Sequence, residues 1–163
     1  MWKNSRISTR SKLHIFHSNV KSVLLFGSET WKEMKTANSE LHTFVNRCLR
    51  RILNNHWPEV ISYEEVWRRT GEIEMSTQIK RRKWNWKGHT LRKGHEAIVR
   101  ETLDWNLQGK RRRGRPRHTW QRTVHSEALE KGKSWSEVKR MTGNRTRWQC
   151  FVDALCVLRD NRN

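Results

Sequence analysis

The chain is predicted to be all-α, with six to eight amphipathic helices in an open assembly joined by basic loops. Two observations predict this. Apolar residues recur three and four positions apart through almost every segment, as one face of a helix requires. No stretch alternates polar and apolar residues for long enough to make a convincing strand.

The elements follow in order. Leu13, Phe16, Val20, Val23 and Leu24 share a helical face across residues 10–26, and Gly27 ends the run. Residues 38–54 carry the cleanest stripe, formed by Leu41, Phe44, Val45, Cys48, Leu49, Ile52 and Leu53. Asn46, Arg47, Arg50 and Arg51 lie opposite it. Pro58 biases Trp57 away from helix. Ser62 and Glu65 then read as a capping box opening a short helix to Thr70, with Gly71 as its stop.

A longer helix is predicted over Ser76–Arg92, with Ile79, Trp86 and Leu91 inward and Lys80, Arg81, Arg82, Lys83, Lys87 and Lys93 outward. A short helix over Ala97–Trp105 precedes a basic loop. Pro116 suits the first position of the next helix, because its missing N–H is unpaired there in any case. Trp120, Val124 and Leu129 would line that helix's inner face. A second capping box, Ser134 with Glu137, stands before Trp135, Val138 and Met141. Past Gly143, a last helix carries Trp148, Phe151, Val152, Leu155 and Cys156 at near-ideal spacing. A soft boundary is expected at residues 106–115, where charge and glycine interrupt the helices.

Composition sets the partner class. The 163 residues carry 35 Lys and Arg against 16 Asp and Glu, a formal charge of +19. Such a charge repels itself in a compact state, and a polyanion relieves that strain. Nucleic acid fits, since neutralised phosphates release their condensed counterions. Ten tryptophans separate the chain from a disordered basic tail. An anionic membrane fits less well, because the basic segments lack the long apolar face of an interfacial helix. Val20–Phe26 is too short to span a bilayer.

Cys48, Cys150 and Cys156 cannot all pair within the chain, and no secretory leader is recognisable, which points to a reducing, intracellular setting. With His42 they make a poor zinc set: no closely spaced cysteine pair exists, and each cysteine falls on an apolar helical stripe as a core thiol would. Catalytic signatures are missing as well. There is no phosphate-binding glycine loop, no nucleophile elbow and no paired carboxylates fit for two metal ions. Glu64 and Glu65 are better explained by the start of a helix.

Two basic stretches are the candidate nucleic-acid contacts. The first holds Lys80, Arg81, Arg82, Lys83, Lys87, His89 and Arg92. His89 has two readings, a phosphate donor or a structural residue between tryptophans. Trp84 and Trp86 cannot face the same way on a helix, so one enters the core, expected to be Trp86, and the other is left to stack on a base. The second stretch holds Lys110, Arg111, Arg112, Arg113, Gly114, Arg115, Pro116 and Arg117. Its Arg113–Arg117 segment matches the R-G-R-P core of an AT-hook, in which arginines enter the narrow minor groove of A·T tracts. A nuclear localisation signal or a phosphate-reading loop accounts for the same residues.

Six blocks in order carry a wider likeness: LLFGSETW (24–31), NRCLRRIL (46–53), VWRRTG (66–71), RKWNWKGHTLRK (82–93), GKRRRGRPRHTW (109–120) and NRTRWQCFVDAL (144–155). Together they resemble the C-terminal part of the endonuclease–reverse transcriptase of non-LTR, RTE-like retrotransposons. The resemblance implies a thumb-like helical region over residues 1–60, a helical basic segment over 61–105, a basic loop over 106–115 and a C-terminal helical segment over 116–163. It implies RNA and DNA as partners, the palm and endonuclease domains of a parent polypeptide as further ones, and a nuclear location. The parent polymerase would use Mg²⁺. The paired aspartates of the palm and the endonuclease domain are missing from this chain, so it is expected to be a fragment that binds nucleic acid without catalysis or a cofactor of its own. Its alternative is a co-opted AT-hook-like DNA-binding or chromatin protein.

Overall fold

The computed structural model describes residues 4, 6–32, 35–55, 59, 61–94, 96–104 and 119–156, with the Asp104 side chain left aside. Among these residues the fold is all-α, and no strand occurs. The elements are α1 (Thr9–Ile15), a π-helical segment (Phe16–Lys21), α2 (Ser22–Leu24), a 3₁₀ turn (Ser28–Thr30), α3 (Lys35–Ile52), α4 (Tyr63–Thr70), α5 (Met75–Leu91), α6 (Ile98–Asp104), α7 (Trp120–Glu130), α8 (Trp135–Met141) and α9 (Arg145–Cys156). No helix among the described residues is long and apolar enough to cross a membrane.

The chain forms two compact units, one of Met1–Ser28 with Met34–Ile79 and the other of Glu29–Glu33 with Lys80–Asn163. The division falls between Ile79 and Lys80, inside α5; the soft boundary expected at 106–115 lies outside the described residues. The physical reason is burial: Met75 and Ile79 belong to the first core, whereas Trp84 belongs to the second.

In the first unit, the Ser8 hydroxyl accepts from the Ser11 N–H and starts α1. The helix runs on through the π-helical segment into α2. Phe16 and Leu25 lie nine positions apart, about two and a half turns of regular α-helix, and would face opposite ways. The wider winding of Phe16–Lys21 corrects that phase, and both residues are buried in one cluster. The same rotation explains a correction: Val23, expected inward, is 76% exposed, and Leu25 is buried instead.

The rest of that core is Val45, Leu49 and Ile52 from α3, Val66 from α4, and Met75 and Ile79 from α5. Phe44, expected in the α3 stripe, is exposed, while Asn46, expected outside, is buried. Asn46 is admitted because its Oδ1 accepts from the Trp67 indole N–H at 2.8 Å. Ser62 caps α4 through the Glu65 N–H, as the sequence predicts, but the box is half made: the Glu65 carboxylate turns away to Arg68 and Arg69. Gly71 ends α4 in the left-handed conformation at φ +67°. Beyond it, the buried Glu72 carboxylate receives Lys21 Nζ at 2.6 Å and Gln78 Nε2 at 3.0 Å, with His17 Nε2 at 3.1 Å.

In the second unit, Trp84 is fully buried among Val124, Ala128, Val138, Trp148, Phe151, Val152, Leu155 and Cys156. This reverses the expected roles of the two neighbouring tryptophans, since Trp86 is only half-buried. The reason is polar as well as steric: the Trp84 indole N–H donates to the buried Glu127 carboxylate at 2.5 Å, a partner that α7 supplies. Helix α7 begins at Trp120, with the Thr119 hydroxyl accepting from the Arg122 N–H; Pro116, expected to open a helix, lies outside the described residues. Its inner face is Val124 and Ala128; Leu129, expected inward, is 67% exposed. The Ser134–Glu137 capping box is complete and starts α8. Cys150, expected to be a core thiol, is exposed on α9, and Cys156 is buried.

Candidate nucleic-acid interface

Helix α5 contains no acidic residue, so its charge is set by where its cations point. Positions 82, 85, 86, 89, 92 and 93 fall within about a third of the helix circumference at 3.6 residues per turn. Arg82, Asn85, His89, Arg92 and Lys93 in that arc are exposed, and Trp86 is half-buried at its edge. The main-chain bonding continues past the helix end, with Arg92 N–H donating to Gly88 at 3.2 Å and Lys93 N–H to Thr90 at 3.1 Å. The arc is thus one continuous strip of hydrogen-bond donors.

Its members are held to different degrees. Arg82 Nε lies 3.1 Å from Glu29 Oε1, which fixes the guanidinium and partly neutralises it. The Arg92 guanidinium reaches the Thr142 carbonyl at 3.5 Å. The Trp86 ring meets Trp120 edge to face, with centroids 6.1 Å apart.

The opposite side of α5 removes two predicted cations from any surface. Lys83 is 3% exposed, and its ammonium lies 2.6 Å from Glu127 Oε1. Glu127 thus carries two donors, Lys83 and the Trp84 indole, which makes its burial tolerable. Lys87 is 1% exposed. Its ammonium sits 4.3 Å from the Trp120 ring centroid and 4.4 Å from that of Trp135, with Trp84 at 6.0 Å. An ammonium between indole faces is attracted by their quadrupoles, most strongly where water is excluded. The expectation that Lys83 and Lys87 lie on the exposed side is corrected: α7 and α8 supply a carboxylate and π-faces that bring them inward. Lys80 and Arg81 are half-buried, and Arg81 lies 3.5 Å from Asp153 on α9.

His89 and Arg92 are exposed, on the same arc as Arg82. Lys110, Arg111, Arg112, Arg113, Gly114, Arg115, Pro116 and Arg117 lie outside the described residues. Asn85 is a member of this arc that residue type alone does not mark. It stands three residues after Arg82 and four before His89, a spacing that gains meaning once the exposed side of α5 is known. Among the described residues, no three His, Cys, Asp or Glu side chains cluster in a way that would hold a metal ion.

Fold and surface define an all-α chain in two units, with one donor-lined helix face on the second. A family model described as a domain of unknown function (DUF6451) matches residues 1–26, the stretch leading into and forming the first helix. No curated protein and no solved structure matches the chain.

Proposed function

We propose that the chain binds nucleic acid through its phosphates, as the C-terminal part of a retrotransposon-type reverse transcriptase and without catalysis of its own. The observation that carries the reading is the exposed arc of α5, where Arg82, Arg92 and Lys93 flank Asn85 and His89 on a helix free of carboxylates. The net charge of +19 supports it, as does the ordered series of sequence blocks that resembles that enzyme family. In a parent polypeptide such a region would grip template RNA and DNA primer in the nucleus.

The test is salt titration of binding to duplex DNA and to an RNA–DNA hybrid. Each phosphate neutralised on B-DNA contributes about −0.9 to the slope of log affinity against log salt. A steep negative slope is expected. A slope near zero on both probes ends the reading.

The second reading, a DNA-binding or chromatin protein, is favoured by Arg113-Gly114-Arg115-Pro116 in the sequence. It requires a preference for A·T-rich over G·C-rich duplex that Arg115→Ala removes. Without that preference in the intact chain, the hook is discarded.

A further inference from the structure

We infer that the exposed arc of α5 docks in the major groove of duplex DNA and reads base edges through Asn85 and His89, with cations at both ends of the arc on the phosphates. The inference rests on the nucleic-acid reading above and goes further, from charge neutralisation to sequence recognition. The B-DNA major groove admits an α-helix, whereas the major groove of A-form RNA is too deep and narrow for side chains to read. The order of residues along the arc suits the first. Arg82 and Arg92 lie about 15 Å apart along the helix axis. A straight helix follows the curved groove only over its middle, so its ends rise to the phosphate rims while its centre faces the bases. Asn85 and His89 occupy that centre, and Arg82, Arg92 and Lys93 occupy the ends.

The chemistry of the central pair differs from that of the ends. An asparagine amide both donates and accepts, and it pairs bidentately with the N6 and N7 edge of adenine. An amide can also donate to a phosphate, but only a base edge uses its donor and its acceptor together. Glu29 lies beside Arg82 and weakens that end as a phosphate contact, which leaves Arg92 and Lys93 as the stronger anchors.

The experiment is selection of bound duplexes from a pool of random DNA sequence with the intact chain, followed by affinity measurements on any enriched site. An enriched site containing adenine is expected. Asn85→Ala, on an exposed position where folding is not at stake, should lower affinity for that site by about 5- to 150-fold, a larger loss than on unselected duplex, with no loss of salt slope because the amide carries no charge. Arg92→Ala should weaken all duplexes alike and reduce the slope by about 1. Salt-dependent binding with no enriched site, or an enriched site indifferent to both Asn85→Ala and His89→Ala, overturns this inference and leaves the phosphate reading standing. Loss of salt-dependent binding altogether overturns both.

Discussion

Gly88 lies so close to Trp148 that a Cβ built on it would overlap the indole ring. In an open helix position, Gly→Ala gains about 1 kcal/mol from helix propensity. Here the sign reverses, because Trp148 is buried between Trp84 and Phe151 and has little room to retreat. Gly88→Ala is expected to destabilise the protein by about 1–3 kcal/mol, as overpacked cores do, read as a lower urea midpoint. A stabilised variant would show that the ring moves freely.

Glu127 depends on Lys83. Both side chains are almost wholly buried, so removing one leaves an uncompensated charge. Lys83→Met is expected to cost about 3–5 kcal/mol, and Lys83→Met combined with Glu127→Gln, which removes the charge but keeps an acceptor for the Trp84 indole N–H, should recover much of it. Urea unfolding of the two variants decides.

Lys87 separates a core cation from a binding cation. Lys87→Met keeps the length of the side chain and loses the charge between Trp120 and Trp135. A loss of about 2 kcal/mol is expected from the buried cation–π contacts. Affinity for duplex DNA should stay unchanged at temperatures where the variant is folded, in contrast to Arg92→Ala. A drop in the salt slope for Lys87→Met would return this residue to the interface.

Glu65 titrates far below the ordinary carboxylate range. Hydrogen bonds from Arg68 and Arg69 lower its carboxyl to about 2 from the ordinary 4.5. The folded value is depressed, so its contribution is full above the ordinary value and is lost as the pH falls from about 4.5 through about 2. Carboxyl NMR should place the transition there, and Arg68→Ala with Arg69→Ala should move it upward. An unmoved transition would mean that the arginines do not hold it.

The three thiols should react in a fixed order. Cys150 is exposed, whereas burial raises the Cys48 and Cys156 thiols above their ordinary value and so depletes their thiolates. Under native conditions a thiol-alkylating reagent is expected to mark Cys150 first, and Cys156 only on unfolding. Peptide mapping reads the order directly.

The helices were legible because periodicity and caps are local. Ser62, Gly71 and the Ser134–Glu137 box mark real ends, and the stripe Trp148, Phe151, Val152, Leu155 and Cys156 is buried as its spacing requires. What escaped was set by partners distant in sequence. Lys83 and Lys87 read as surface cations until Glu127, Trp120 and Trp135 arrive from other helices. Trp84 and Trp86 are indistinguishable by type, and only the carboxylate of Glu127 decides between them. Of the candidate interface, Arg82, His89 and Arg92 were visible in the sequence, whereas Asn85 becomes visible only once the exposed arc is drawn.

The π-helical segment gives the first helix a tolerance counted in residues. It holds one more residue per hydrogen-bonded turn than an α-helix, so deleting a single residue between Phe16 and Lys21 can be absorbed by rewinding as ordinary α-helix. Phase survives the change: Leu25 would then stand eight positions after Phe16, which is the same face of a regular α-helix, and Val23 would stay on the outer side. The face this helix must present is thus held more tightly than the number of residues that present it.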